Sequence, residues 1–160
     1  MSDVMVRYIF SMPTLATNRK AKFEYACLEK FEAGLALTGQ EVKSVRAGGA
    51  KIDNGYVVGQ KGGLWLIGAN IAPYKKASNL KNYDPGQSRQ LLLHGKEMRY
   101  LMGKLSEKGL TLIPTSLYTR GNRIKLEIWL AKGKKTFEKR QAIKNRDLDR
   151  ETKRFYSEDI

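Results

Sequence analysis

Apolar residues alternate with polar ones over residues 23–37, at Phe23, Tyr25, Cys27, Phe31, Ala33, Leu35 and Leu37, with Glu29 breaking the series. A period of two turns one side of an extended chain toward a core. The stretch is predicted to be a long half-buried strand, bent or bulged at residues 29–30, with Cys27 filling the core as a small hydrophobe. Residues 56–58 and 64–71 read as two further strands around the turn Gly62-Gly63. Residues 110–119 and 123–130 form another pair around Arg120-Gly121-Asn122, with Ile124, Leu126, Ile128 and Leu130 inward, Lys125 and Glu127 outward, and Trp129 beside them. Pro114 marks a bulge or an edge position.

The period changes to that of a helix in two places. Thr38-Gly-Gln-Glu41 is a capping box, with Leu37 and Val42 at the staple positions, and it opens a short helix that Gly48-Gly49 closes. That helix presents Lys43 and Arg46 on one side. Met98, Leu101, Met102 and Leu105 lie at i, i+3, i+4 and i+7, which predicts a helix over residues 96–107 ended by Gly109. Residues 1–17 show no pattern and are treated as a weakly ordered extension. Residues 18–22, Asn-Arg-Lys-Ala-Lys, are a basic entry to the first strand. About six short strands with hairpin turns and two or three helices predict a mainly β domain over residues 18–130. An antiparallel barrel of the oligonucleotide-binding type is the expected architecture.

Charge adds a second region. Residues 132–146 hold seven Lys or Arg against the single acid Glu138, and Phe137, Ala142 and Ile143 make no helical stripe. Such a segment buries too little apolar surface to offset its ordering entropy. Residues 131–160 are therefore read as a basic tail that is loose when free and orders on a polyanion, or else as a solvated basic helix without a partner. The whole chain carries +14, and residues 1–130 contribute twenty bases against ten acids. Nucleic acid is the first partner this suggests and an anionic membrane surface the second. The loop 73–88 places Lys75, Lys76 and Lys81 between Tyr74 and Tyr83, a composition suited to phosphate contact and base stacking but also that of an ordinary surface loop.

Catalytic chemistry has little to use. One cysteine, Cys27, excludes an internal disulfide, and with one histidine, His94, there is almost nothing to hold a transition metal. His94 stands where a strand meets a helix and reads as a capping or packing residue. No phosphate-binding loop, dinucleotide fingerprint or carboxylate cluster occurs. No catalytic residue, metal or cofactor is expected; a hydrolase using Cys27 or His94 is the rival reading. The broken apolar run at the N-terminus does not suit a signal peptide, and no apolar run approaches the ~20 residues of a membrane helix. A cytoplasmic location is expected.

Five stretches in order carry a resemblance: residues 18–21 (Asn-Arg-Lys-Ala), 31–44 (Phe-Glu-Ala-Gly-Leu-Ala-Leu-Thr-Gly-Gln-Glu-Val-Lys-Ser), 69–74 (Ala-Asn-Ile-Ala-Pro-Tyr), 91–94 (Leu-Leu-Leu-His) and 131–140 (Ala-Lys-Gly-Lys-Lys-Thr-Phe-Glu-Lys-Arg). Together they resemble the small protein B family, the bacterial partners of transfer-messenger RNA in trans-translation. The resemblance implies a barrel that binds the tRNA-like part of that RNA and delivers it, with elongation factor Tu, to stalled ribosomes. It implies a tail that folds as a helix in the vacant mRNA channel beside the decoding centre. It implies no catalysis and no cofactor.

By the same resemblance Asn18, Glu32 and Leu92 match positions that contact transfer-messenger RNA; Arg19, Lys20, Lys43 and Arg46 extend that basic face. An Asn amide or Glu carboxylate can pair with base edges of an unstacked loop, and Leu92 can pack on a base or in the core. Gly133, Lys134, Lys135, Glu138, Lys139 and Arg140 match the tail motif, with Lys144 and Arg146 beyond it. The chain departs from the family at Glu138, where Asp is usual, at Trp129, where a small residue is common, and in lacking a Lys-rich N-terminal run. A generic single-strand RNA binder, or one of ribosomal-protein type, on the same barrel is the alternative.

Overall fold

The computed structural model describes residues 13–158 apart from 61 and 79. In chain order its elements are β1 (Thr14–Thr17), α1 (Arg19–Glu24), β2 (Tyr25–Leu35), α2 (Gly39–Arg46), β3 (Ala50–Lys51), β4 (Tyr56–Gln60), β5 (Gly63–Ile67), β6 (Asn70–Ile71), β7 (Arg89–Leu92), α3 (Gly95–Leu105), β8 (Leu110–Arg120), β9 (Arg123–Gly133) and α4 (Thr136–Glu158). Every strand pairing is antiparallel. Six strands join in the order β8-β4-β5-β7-β2-β9, and β9 pairs back with β8, so the sheet closes on itself as a ring. The mainly β, antiparallel architecture expected from the hydrophobic alternation is the one the chain adopts.

The ring is lined by the inward positions of the strands. Leu64, Leu66, Leu91, Leu112, Leu117, Leu126, Ile128 and Leu130 are buried there. Leu101 of α3 and Val45 of α2 join the same cluster. Burying a leucine side chain contributes about 1.5–3 kcal/mol, so this one cluster carries most of the fold. The register of β8 against β9 shifts between Pro114 and Ser116, the bulge expected at the proline. In β2 the shift falls between Cys27 and Glu29, displacing Leu28 rather than residues 29–30. Leu28 is 54% exposed there.

Three boundaries differ from the sequence reading. The expected weak order of residues 1–17 lies outside the described residues for 1–12, whereas Thr14–Thr17 is a strand on β8. Residues 19–24 are a helix rather than the start of the strand, because Asn18 caps them: its Oδ1 accepts the Ala21 amide at 3.0 Å. The sheet also runs past residue 130. Ala131 is fully buried and Gly133 pairs with Tyr25, so the ring ends at Gly133.

Thr38 caps α2 as expected, its Oγ1 accepting the Glu41 amide at 3.3 Å, and Gly48 ends the turn at φ +86°. Glu41 does not complete the capping box. Its carboxylate turns inward and accepts from Arg89 Nε at 3.0 Å. The rest of Arg89 gathers the following loop, donating to the carbonyls of Pro85 (2.9 Å) and Gln87 (3.0 Å) and to the Tyr83 hydroxyl (3.3 Å).

α4 is a continuous helix of 23 residues, about 34 Å long. The Lys134 amide donates to the Glu24 carbonyl at 2.9 Å, and the Arg146 guanidinium lies 5.9 Å from the Phe23 ring. Otherwise the helix stands in solvent, with Phe137 and Phe155 both 77% exposed. No helix among the described residues is long and apolar enough to cross a membrane.

Candidate nucleic-acid interface

Register places a row of four residues across the outer face of the ring. Leu92 of β7 pairs with Gly34 of β2, Gly34 with Lys125 of β9, and Lys125 with Tyr118 of β8. Paired residues project to the same side of a sheet, so the missing side chain at Gly34 leaves a notch between Leu92 and Lys125. A Cβ at Gly34 would lie 3.2 Å from that of Leu92. The notch lies in a depression of about 350 Å³, and Leu92, Arg123 and Lys125 are shared between it and a groove of about 670 Å³ lined also by Phe31, Glu32 and His94, among others. Leu92 is 55% exposed at its edge, which removes the core-packing alternative.

Glu32, two residues along β2 from Gly34, lines the same groove. Its carboxylate accepts from the Tyr118 hydroxyl and from Arg120 Nη1 at 2.9 and 3.1 Å. Partial burial works to raise its pKa, but the Tyr118 hydroxyl and the Arg120 guanidinium hold it below the ordinary carboxylate value. Burial, then the bond to Glu32, pushes the Tyr118 phenol up. Glu127, directly opposite Glu32 in register, is held apart by its own donors, Thr115 Oγ1 at 2.8 Å and Trp129 Nε1 at 2.9 Å. The groove thus offers an apolar edge, a fixed carboxylate and three cations, Lys30, Arg123 and Lys125, none of them in a salt bridge among the described residues.

Asn18 departs from the reading of it as a base-edge contact. It is 1% exposed, and its Nδ2 donates to the carbonyls of Ile52 (3.2 Å) and Pro114 (3.0 Å) while Oδ1 caps α1. With donors and acceptor used internally, its part is to hold α1, which displays Arg19 and Lys20 to solvent. On α2, Arg46 Nη2 donates to the Asn122 carbonyl at 2.8 Å, fixing the helix to the β8–β9 turn beside the groove. Lys43 lies 5.9 Å over the Tyr74 ring. Sequence reasoning named Glu32 and Leu92 but not their neighbours Tyr118, Arg120 and Arg123. Lys125 was recognisable as an outward residue of β9 without a role attached.

The tail residues divide. Gly133 belongs to β9, and Glu138 serves the backbone, accepting the Lys135 amide at 2.9 Å at the start of α4. Lys135, Arg140, Lys144 and Arg146 are exposed, whereas Lys134 and Lys139 are half-buried. Trp129 is half-buried over Ala21, Ile113 and Ala131, with Lys30 Nζ 5.6 Å from its ring. His94 stands at the N-cap position of α3 but makes no side-chain cap. Burial raises the Cys27 thiol pKa, the wrong direction for a thiolate nucleophile.

Known proteins resemble this chain over most of its length. The family model described as SmpB protein matches residues 15–158. The SsrA-binding protein of Ralstonia pickettii (strain 12J) is 51% identical over 146 residues, covering 91% of this chain and 98% of the relative. That of Sulfurihydrogenibium sp. (strain YO3AOP1) is 47% identical over 146 residues, covering 91% and 95%. A solved structure described as "tmRNA-SmpB: a journey to the center of the bacterial ribosome" aligns with TM-score 0.60 and 42% identity, over 78% of this chain and 85% of that one. With a family model spanning nearly the whole described chain and relatives near half identity along their full length, this chain belongs to the SmpB protein family.

Proposed function

We propose that this chain is a non-catalytic adaptor that binds the tRNA-like part of transfer-messenger RNA and brings it to stalled ribosomes. The observation that carries the reading is the row Leu92–Gly34–Lys125–Tyr118 with Glu32 at its side. An unstacked nucleotide fits the Gly34 notch, with Leu92 against its base, Glu32 as acceptor for an exocyclic amine, and Lys125 and Arg123 toward its phosphates. Arg19 and Lys20 on α1, and Lys43 and Arg46 on α2, widen the cationic surround. Elongation factor Tu joins through the RNA.

In this reading the residues beyond Gly133 serve a second site. Lys134, Lys135, Lys139, Arg140, Lys144 and Arg146 meet phosphates of the ribosomal mRNA channel near the decoding centre, and Glu138 sets the start of the helix. With so little packing of its own, α4 is loose in the free protein and is fixed by that channel. Two variants test the division. Leu92→Asp is expected to abolish binding of transfer-messenger RNA in a gel-shift assay. Truncation after Gly133 is expected to leave that binding intact while abolishing tagging of stalled peptides. Equal loss of RNA binding in both would favour a generic single-strand RNA binder.

A further inference from the structure

The loop between β6 and β7 is more ordered than its polar composition suggests. Tyr83 donates its hydroxyl proton to the Ile71 carbonyl at 2.8 Å, and the Ile71 amide donates to the Pro85 carbonyl at 3.0 Å. The Tyr74 amide donates to Gln40 Oε1 of α2 at 3.1 Å, and Ser44 Oγ of α2 donates to the Ala72 carbonyl at 2.5 Å. Residues 72–74 are thereby locked to α2, and the turn that follows presents Lys75 and Lys76 to solvent. Lys43, over the Tyr74 ring, and Arg46, at the β8–β9 turn, bridge from that turn to the groove. None of these four cations is in a salt bridge among the described residues. Glu41, the acid of α2, is buried against Arg89 and does not offset them.

We propose that Lys75 and Lys76 form, with Lys43 and Arg46, a rigid phosphate-binding ledge that takes the sugar-phosphate backbone of a double-helical arm of the RNA whose unpaired nucleotide sits at Leu92. The proposal rests on the groove reading above and extends it across α2. A duplex, rather than a second single strand, fits because both tyrosines of the loop are engaged. Lys43 covers Tyr74, and Tyr83 is fastened at its hydroxyl and half-buried, so no open ring remains for a base to stack on. Cations without stacking partners recognise a helix by its shape and charge. Because the backbone beneath the ledge is already fixed, little backbone entropy is lost on contact.

The test is a salt titration of binding to transcribed transfer-messenger RNA, comparing the full chain, Lys75→Ala/Lys76→Ala and Leu92→Ala. The double lysine variant is expected to flatten the slope of log affinity against log salt by about 2, one for each duplex phosphate contact. It is also expected to lose hydroxyl-radical protection over one base-paired arm. Leu92→Ala is expected to weaken binding with the slope unchanged. An unchanged slope in the lysine variant, with Leu92→Ala still defective, would overturn the ledge and leave the groove standing. If both variants bind like the full chain, the groove reading fails as well. Protection lost from unpaired nucleotides instead would overturn the assignment to a duplex.

Discussion

Arg89 Nε and Glu41 Oε2 are 3.0 Å apart, and the two side chains are only 2% and 1% exposed. This pair ties α2 to β7 across 48 residues of sequence, and through Arg89 it also ties down the loop at Pro85 and Gln87. Removing one member of a buried pair strands the other charge. Arg89→Ala is therefore expected to cost about 3–5 kcal/mol in chemical denaturation. Replacing both residues by apolar ones often restores stability when a buried pair stands alone. Here it is expected to recover only part of the loss, because the carbonyls of Ala69, Pro85 and Gln87 would be left without the Arg89 donors. Full recovery in the double variant would show those carbonyls to be satisfied by solvent.

Glu32 gives a pH dependence with a defined sign. Its folded pKa is depressed, so the bonds from Tyr118 and Arg120 contribute stability above the unfolded value of about 4.3 and lose it as pH falls through the lower folded value. Glu32→Gln is expected to be less stable than the parent at pH 7. The gap should be modest, about 1 kcal/mol or less, because the Arg120 partner is 59% exposed and screened. It should close on acidification below the ordinary carboxylate range. Thermal melts from pH 7 to pH 3 would show this, and a gap that widens in acid would mean the carboxylate is not the stabilising form.

What was legible in the chain follows from the range of the interaction concerned. The β8–β9 hairpin was visible because its period of two and its turn at Gly121 are local. The start and stop of α2 were visible for the same reason, in Thr38 and Gly48. Helix α1 was not, because Arg-Lys-Ala-Lys-Phe-Glu has no apolar stripe and exists through a cap that Pro114 and Ile52 hold in place. The second role of Glu41 was invisible for a related reason: a capping box and a buried ion pair look alike until the partner at residue 89 is brought near. Glu32 and Leu92 were named through resemblance. The notch between Leu92 and Lys125 needs the register of four strands, and Tyr118 meets Glu32 across 86 residues.

The helix α4 makes a separate prediction. Its lateral hold on the body is the Arg146–Phe23 contact, and none of the salt bridges among the described residues lies along it. Most helical stability in proteins comes from packing of an apolar face rather than from propensity, and α4 has almost none. A peptide of residues 134–160 is expected to be mostly coil by circular dichroism in dilute buffer, and Phe23→Ala is expected to leave the melting of the full chain unchanged. Strong helicity in the peptide would mean that the tail is preformed and does not depend on its binding site for order.

Asn18 separates a contact role from a supporting one. Its side chain accepts from Ala21 and donates to two carbonyls far apart in sequence, Ile52 just after β3 and Pro114 in β8, while almost wholly buried. Asn18→Ala removes a helix cap, about 1 kcal/mol, and leaves buried carbonyls unpaired, so a loss of about 2–4 kcal/mol is expected. Asn18→Asp keeps an acceptor for the Ala21 amide but turns an oxygen toward the two carbonyls, so it is expected to be no better than alanine. A residue that read a base edge from the surface would behave otherwise. Both variants would then keep the parent's stability and lose only RNA affinity, and equilibrium unfolding without RNA tells the two cases apart. Because α1 also carries Arg19 and Lys20, the RNA affinity of Asn18→Ala should fall with the loss of helix α1. It should fall by the same factor as in a variant that breaks α1 beyond the cap, such as Phe23→Pro.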